Sequence, residues 1–232
     1  MTHPTHPRPF SHRDTVFGLH AGGRTHRRFS RRAGLPAVVA FCLFSLPGGA
    51  FGALFPASRL DDPDNVRTWR EQIRRAVEQS RGNRTLLVMV KKARRLDYYR
   101  NGRLQRSMYA DLGADPVTRK LHSDFRTTPE GLYRVARKLG PGETSYTLAL
   151  LIDYPNAEDR QRYQEAQARG EIPPDTGIGG NIEIHGMGGF GQDWTWGCMA
   201  VNDEEIRWLF PKVEVGAPVL IVGNDGRTDP VR

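Results

Sequence analysis

An Asn-Gly pair at positions 101–102, set between the alternating runs Arg95–Arg100 and Arg103–Leu112, constrains this chain more than any other feature. Asn-Gly supplies the two positive-φ positions of a tight hairpin turn, so the flanking runs are predicted to pair as antiparallel strands. Other short apolar stretches read as further strands: Leu86–Val90, Gly131–Val135, Thr147–Asp153, the run ending at His185, and Pro218–Val222. Helical spacing is confined to three places. Val66, Trp69, Ile73 and Ala76–Val77 recur between Pro63 and Gly82, after a linker over Phe55–Asp61. Asn156–Arg169 is a polar helix, expected as an exposed insertion, and Asp203–Phe210 is a short one. Many short strands with a few peripheral helices predict an α+β, β-dominated domain.

The formal charge of +8 invites a nucleic-acid reading, and its location argues against one. Residues 1–50 hold seven arginines (Arg8, Arg13, Arg24, Arg27, Arg28, Arg31 and Arg32) against Asp14, which leaves only two of the eight positive charges for the rest. This segment has the order of a secretory signal. A basic region ends at Arg32, an apolar run Leu35–Leu46 follows, and Pro47, Gly48, Gly49 and Ala50 close it. Cleavage after Ala50 or Ala53 is expected. The alternative is an uncleaved anchor, because Leu35–Ala57 carries no charge, and it would be the chain's only link to a membrane. The chain divides into a leader (1–54), a linker and N-terminal helix (55–84), a catalytic domain (85–223) and a tail (224–232).

Five of the seven histidines and Cys42 belong to the leader, so the remainder keeps Cys198, His122 and His185. Metal centres need three or four ligands at suitable spacing, and this set does not provide them, so neither metal nor cofactor is expected. Gly186-x-Gly188-Gly189 does not open a helix and is no nucleotide loop. What remains is a thiol and an imidazole on neighbouring strand ends, the minimum for nucleophilic acyl transfer. His185 follows the alternating Ile182 and Ile184 and precedes Gly186; Cys198 follows Gly197. His185 is the expected base and Cys198 the expected nucleophile, with main-chain N–H groups around Gly197 and Cys198 as an oxyanion hole. A backbone carbonyl is a candidate for orienting the imidazole, and His122 is the alternative base. The bland alternative is a buried, inert cysteine.

The sequence IHG, a Gly-rich loop, then TWGCMAV and an acidic helix start, resembles the L,D-transpeptidase (YkuD) catalytic domain, in the subgroup with a D-W-T-x-G-C motif. Upstream, LLVMVKKARRLDYYRNGRLQRSMYADLG looks like the family's opening hairpin, TPEGLYRV its TP-x-G-x-Y strand, and DYPNAEDR the segment before the active-site loop. The likeness covers Thr85–Val222. It implies a mixed β-sandwich-like fold and a Cys198 thioester formed on a diaminopimelate-type residue of a peptidoglycan stem peptide. Gly197 and Cys198 would supply the oxyanion N–H groups, with Thr195, Gly186 and Trp196 lining the site. An amine acceptor would then give a cross-link or attach an envelope protein. Water would give a carboxypeptidase or amidase, and a silent wall-binding module is the alternative outside enzymes. The implied location is the periplasm or cell envelope.

Several positions depart from the family pattern. Trp196 stands where His or Asp is common, and either restricts the acceptor pocket or packs in the core. Ala200 replaces a common arginine thought to hold a substrate carboxylate. The loop from His185 to Cys198 is short, and His122-Ser123-Asp124-Phe125-Arg126 replaces a Gly-Asp-Gly run.

Overall fold

Asn101 and Gly102 both adopt positive φ (52° and 70°), as the hairpin requires. The computed structural model describes residues 59–227; the leader, Cys42 and the last five residues lie outside the described residues. In chain order the strands are β1 (Thr85–Val90), β2 (Arg95–Arg100), β3 (Arg103–Tyr109), β4 (Gly131–Leu139), β5 (Ala149–Ile152), β6 (Glu183–His185), β7 (Met199–Ala200) and β8 (Pro218–Val222). The helices are α1 (Pro63–Gln79), α2 (Ala157–Ala168) and α3 (Asp203–Leu209).

The eight strands form one mixed sheet in the order β3-β2-β1-β8-β4-β5-β6-β7, with β1–β8 and β6–β7 parallel. β1 is buried along its whole length because both of its faces are covered. Leu87 and Met89 enter one apolar cluster with Tyr133, Ile184, Met199 and Ile221. Leu86, Val88 and Val90 enter a second with Leu220, Val222 and Trp69 of α1. The sandwich-like character comes from one curled sheet. The chain leaving β3 meets the far edge, where Asp111 bridges Ala200 of β7 and Gly113 bridges Thr195. Twist accumulated over eight strands brings the two edges together, which leaves fewer open edge groups.

Several elements differ from the sequence expectations. β4 runs four residues past Val135, because it pairs with β8 over its first half and with β5 over its second, across a register shift. β5 begins at Ala149, since the Thr147 hydroxyl is drawn away to donate to Asp203 Oδ1 (2.7 Å). α2 is anchored more firmly than an exposed insertion: its Asp159 is buried and accepts from the Tyr133 hydroxyl at 3.1 Å. Within the stretch read as a linker, Arg59–Asp61 forms a 3-10 turn with Leu60 buried.

Candidate active site

The short parallel pair β6–β7 sets the site. Ile184 is paired with Met199 and His185 with Ala200. Because side chains alternate, Ile184 and Met199 enter the core while His185 and Ala200 share the opposite face. Carrying the register back one residue puts Glu183 across from Cys198 on that same face. The Glu183 N–H donates to Cys198 Sγ (3.4 Å). Cys198 and His185 are therefore diagonal neighbours, one two-residue step apart.

His185 is fully buried. Its Nδ1 lies 2.6 Å from the Gly186 carbonyl, and a carbonyl only accepts, so Nδ1 carries the proton. Nε2 is left as a bare acceptor, buried and without a partner among the described residues. Tyr146 stacks on the ring (3.5 Å between centroids, 10° between planes), and Trp194 meets it edge-on at 6.0 Å. Desolvation lowers the imidazole to about 4, against the opposing pull of the Gly186 carbonyl. Burial likewise pushes the Cys198 thiol up to about 11. In this conformation the thiol donates toward the Asn181 carbonyl (3.6 Å). The result is a neutral thiol beside a neutral, oriented base.

The loop from His185 to Cys198 is held by three carboxylates. Buried Asp111 accepts from the N–H groups of Phe190 (2.9 Å), Gly191 (3.0 Å) and Gln192 (3.3 Å) and from Trp194 Nε1 (3.3 Å). Asp193 accepts from the Leu112 N–H (3.0 Å) and pairs with Arg94. Asp203 accepts from the Met187 N–H (2.8 Å). Gly188 lies so close to Ala200 that a Cβ on it would meet the Ala200 Cβ at 2.5 Å. Any side chain at position 188 would therefore collide with β7.

Thr195 is buried at the turn before the thiol. Its hydroxyl donates to the Cys198 carbonyl (2.9 Å) and accepts from the Gly197 N–H (3.1 Å). In this conformation the Gly197 N–H, expected in the oxyanion hole, donates to Thr195, while the Cys198 N–H has no acceptor among the described residues. Glycine is needed at 197 for another reason. Its φ is +121°, and a Cβ would sit 2.7 Å from the Thr127 carbonyl. Gly186 is equally crowded, by Asp203 Oδ1 and Ile206. Trp196 is 66% exposed with the Arg126 guanidinium over its ring (4.7 Å), which removes the core-packing alternative. His122 is buried against Phe125, its Nδ1 accepting from the Asp124 N–H (3.3 Å), so it is held as a structural residue. Tyr146, Trp194 and Asp111 escape a reading by motif. Tyr146 lies 39 residues from the histidine it covers, and Asp111 reads as an ordinary strand-end acid.

A thiol and an aromatic-packed imidazole on adjoining strands of a curled mixed sheet define a candidate cysteine acyl-transfer site. The family model of the L,D-transpeptidase catalytic domain (YkuD) matches residues 84–221, and the chain belongs to that family. No curated protein sequence matches it. Among solved structures it is similar to Bd1075 of Bdellovibrio bacteriovorus (22% identity, TM-score 0.43, covering 61% of this chain and 48% of that one). It is also similar to the helical cell shape determining protein Pgp2 of Campylobacter jejuni (19%, 0.45, 68% and 55%) and to L,D-transpeptidase 1 of Mycobacterium tuberculosis (19%, 0.37, 60% and 62%). The chain thus spans roughly half to three-fifths of the length of these relatives.

Proposed function

We propose that this chain is an L,D-transpeptidase acting on peptidoglycan stem peptides, with Cys198 as nucleophile and His185 as base. The observation that carries the reading is the unpartnered His185 Nε2, one register step from Cys198 on the same sheet face. Release of the thiol from the Asn181 carbonyl frees its proton for that nitrogen. As Sγ bonds to the carbonyl carbon of a diaminopimelate-type residue, Nε2 takes the thiol proton. The oxyanion receives the Cys198 N–H. The C–N bond to the terminal D-alanine then breaks, and the imidazolium returns the proton to the departing amine. An amine acceptor attacks the thioester, giving a 3→3 cross-link or a protein attached to the wall, and restores the thiol.

A hydrolytic reading is favoured by one observation. Ala200 stands where the family pattern has an arginine, and Gly188 packs directly against it. An acceptor that depends on that cation is held less well here, and water would release a tripeptide. The leader's layout supports an exported domain acting in the envelope, a reading that amino-terminal sequencing of the secreted form tests.

Incubating the protein with stem tetrapeptide and weighing the products separates these readings, with Cys198→Ser as control. A Cys198-dependent dimer lacking one D-alanine supports transpeptidation, and tripeptide alone supports hydrolysis. Absence of both products and of any Cys198 adduct overturns the enzymatic reading.

A further inference from the structure

The face of the sheet away from the main core carries a groove that the thiol chemistry does not use. Along β4, Tyr133 and Val135 enter that core, so alternation turns Leu132 and Arg134 to the other face. There α1 packs over β1 and β8, and Leu132 is left 53% exposed. The resulting groove has a volume of about 880 Å³, and none of its lining residues belongs to the Cys198 site. Val215, 60% exposed, continues its apolar floor.

The walls are cationic. Five arginines line them against three glutamates, and each glutamate is already engaged. Glu130 accepts from buried Lys91 Nζ (3.0 Å) and pairs with Arg59, Glu158 pairs with Arg162 (3.6 Å), and Glu214 accepts from the Thr85 hydroxyl (3.2 Å). The side chains of Arg84 and Arg119 have no hydrogen bond or ion pair among the described residues. The buried Nε of Arg59 lacks an acceptor there as well. Along α1, Thr68, Gln72 and Gln79 bring a hydroxyl and two amides to the groove, and neither glutamine side chain has a partner among the described residues. From Thr68 to Gln79 the helix rises about 17 Å, the reach of an extended chain of about five residues.

We propose that this groove binds an extended acidic peptide segment of a partner protein. Its carboxylates meet Arg84 and Arg119, its main-chain groups meet the Gln72 and Gln79 amides, and an apolar side chain covers Leu132 and Val215. Each wall selects one part of such a ligand. Guanidiniums match carboxylates in bidentate pairs, and side-chain amides both donate to and accept from peptide groups. A phospholipid headgroup would use the arginines and leave the amide stripe idle, and a groove between helix and sheet does not lie flat on a membrane. The proposal is independent of the reaction at Cys198.

The test uses fluorescent hexapeptide pools in which glutamate alternates with leucine, valine or phenylalanine, read by anisotropy against the full-length protein. A matched pool carries glutamine in place of glutamate. The acidic pool is expected to bind at least about tenfold tighter than the glutamine pool. Arg84→Gln and Arg119→Gln should each weaken it about threefold to fivefold, and Leu132→Asp about tenfold. Arg103→Gln removes an exposed arginine of β3 outside the groove and should leave binding unchanged. All four positions are exposed, so the variants should fold, which thermal unfolding checks. Equal binding of the two pools overturns the proposal, as does a loss in Arg103→Gln that matches the groove variants. Binding of phosphatidylglycerol vesicles in place of the acidic pool, with the same dependence on Arg84 and Arg119, also overturns it and assigns the groove to a lipid headgroup.

Discussion

The ring of Tyr146 lies flat against that of His185, their centroids 3.5 Å apart and their planes 10° from parallel. Trp194 closes the imidazole edge-on. These two aromatics dry the base, and the Gly186 carbonyl fixes its tautomer. Removing the plate should rehydrate Nε2. Tyr146→Ala is expected to move His185 up from about 4 toward 6.5 and to lower turnover about tenfold or more through lost orientation. Tyr146→Phe keeps the stacked face and should leave the titration in place. The His185 ring signals followed by NMR against pH decide it. An unmoved midpoint in the alanine variant would mean that the plate does not dry the ring.

The hairpin, the strand-end histidine and the glycine before Cys198 are legible in the sequence because local backbone chemistry dictates them. Asn101-Gly102 permits little but a tight turn, and the alternation through Ile182 and Ile184 fixes which way His185 points. Residues recruited over distance are not legible. Tyr146 comes from the loop before β5 and Asp111 from the exit of β3, and only closure of the sheet brings them to the site. The purpose of Gly197 was legible as a requirement and not as a cause. Its contact is with the Thr127 carbonyl, on a segment 70 residues away in the chain.

Asp111 is the main tie of the Gly-rich loop. Its buried carboxylate takes three main-chain N–H groups and the Trp194 indole. Asp111→Asn keeps the shape and replaces one acceptor oxygen with a donor, aimed at N–H groups. The expected loss is about 2–4 kcal/mol of stability, since charged hydrogen bonds vanish and like donors meet in a dry site. Thermal or urea unfolding measures this. A change within about 0.5 kcal/mol, the range of ordinary surface substitutions, would contradict the assignment.

Gly197→Ala places a methyl group 2.7 Å from the Thr127 carbonyl on a backbone held at φ +121°. The turn must shift and carry Cys198 with it, because Thr195 clasps both ends of the turn. The expected outcome is about 2–3 kcal/mol of destabilisation together with at least a hundredfold fall in acylation. Acyl-enzyme formation, read as the mass of the thioester adduct, checks it in variant protein that remains folded.

Acid should weaken this fold in a window set by His185. Its folded value, about 4, lies below the ordinary imidazole value of 6.5, so between those values the unfolded chain binds more protons. The contribution is fully present above pH 6.5 and is lost as pH falls toward 4, to a limit of about 3 kcal/mol. Glu183, raised by burial, works in the opposite sense near the lower end of this window. The hydrogen-bonded carboxylates Asp115, Asp203 and Asp225 are lowered from 3.8 and act below it. His185→Phe should flatten the slope of unfolding free energy between pH 6.5 and 4. A slope that persists there would assign the acid sensitivity elsewhere.

The thiol gives the last prediction. Burial holds Cys198 at about 11 while His185 stays near 4, so across the whole interval between them the pair is thiol plus neutral imidazole. The thiolate is the reactive form, and its fraction then grows about tenfold per pH unit. Labelling by iodoacetamide should therefore climb with nearly unit slope from about pH 6 to 9. A resting thiolate–imidazolium pair would instead give a flat, fast rate across neutral pH. The steep profile has a mechanistic consequence. With no charge separated in the ground state, the proton leaves Sγ only as the carbon–sulfur bond forms, and the free lone pair of His185 Nε2, unpartnered among the described residues, is where it must go.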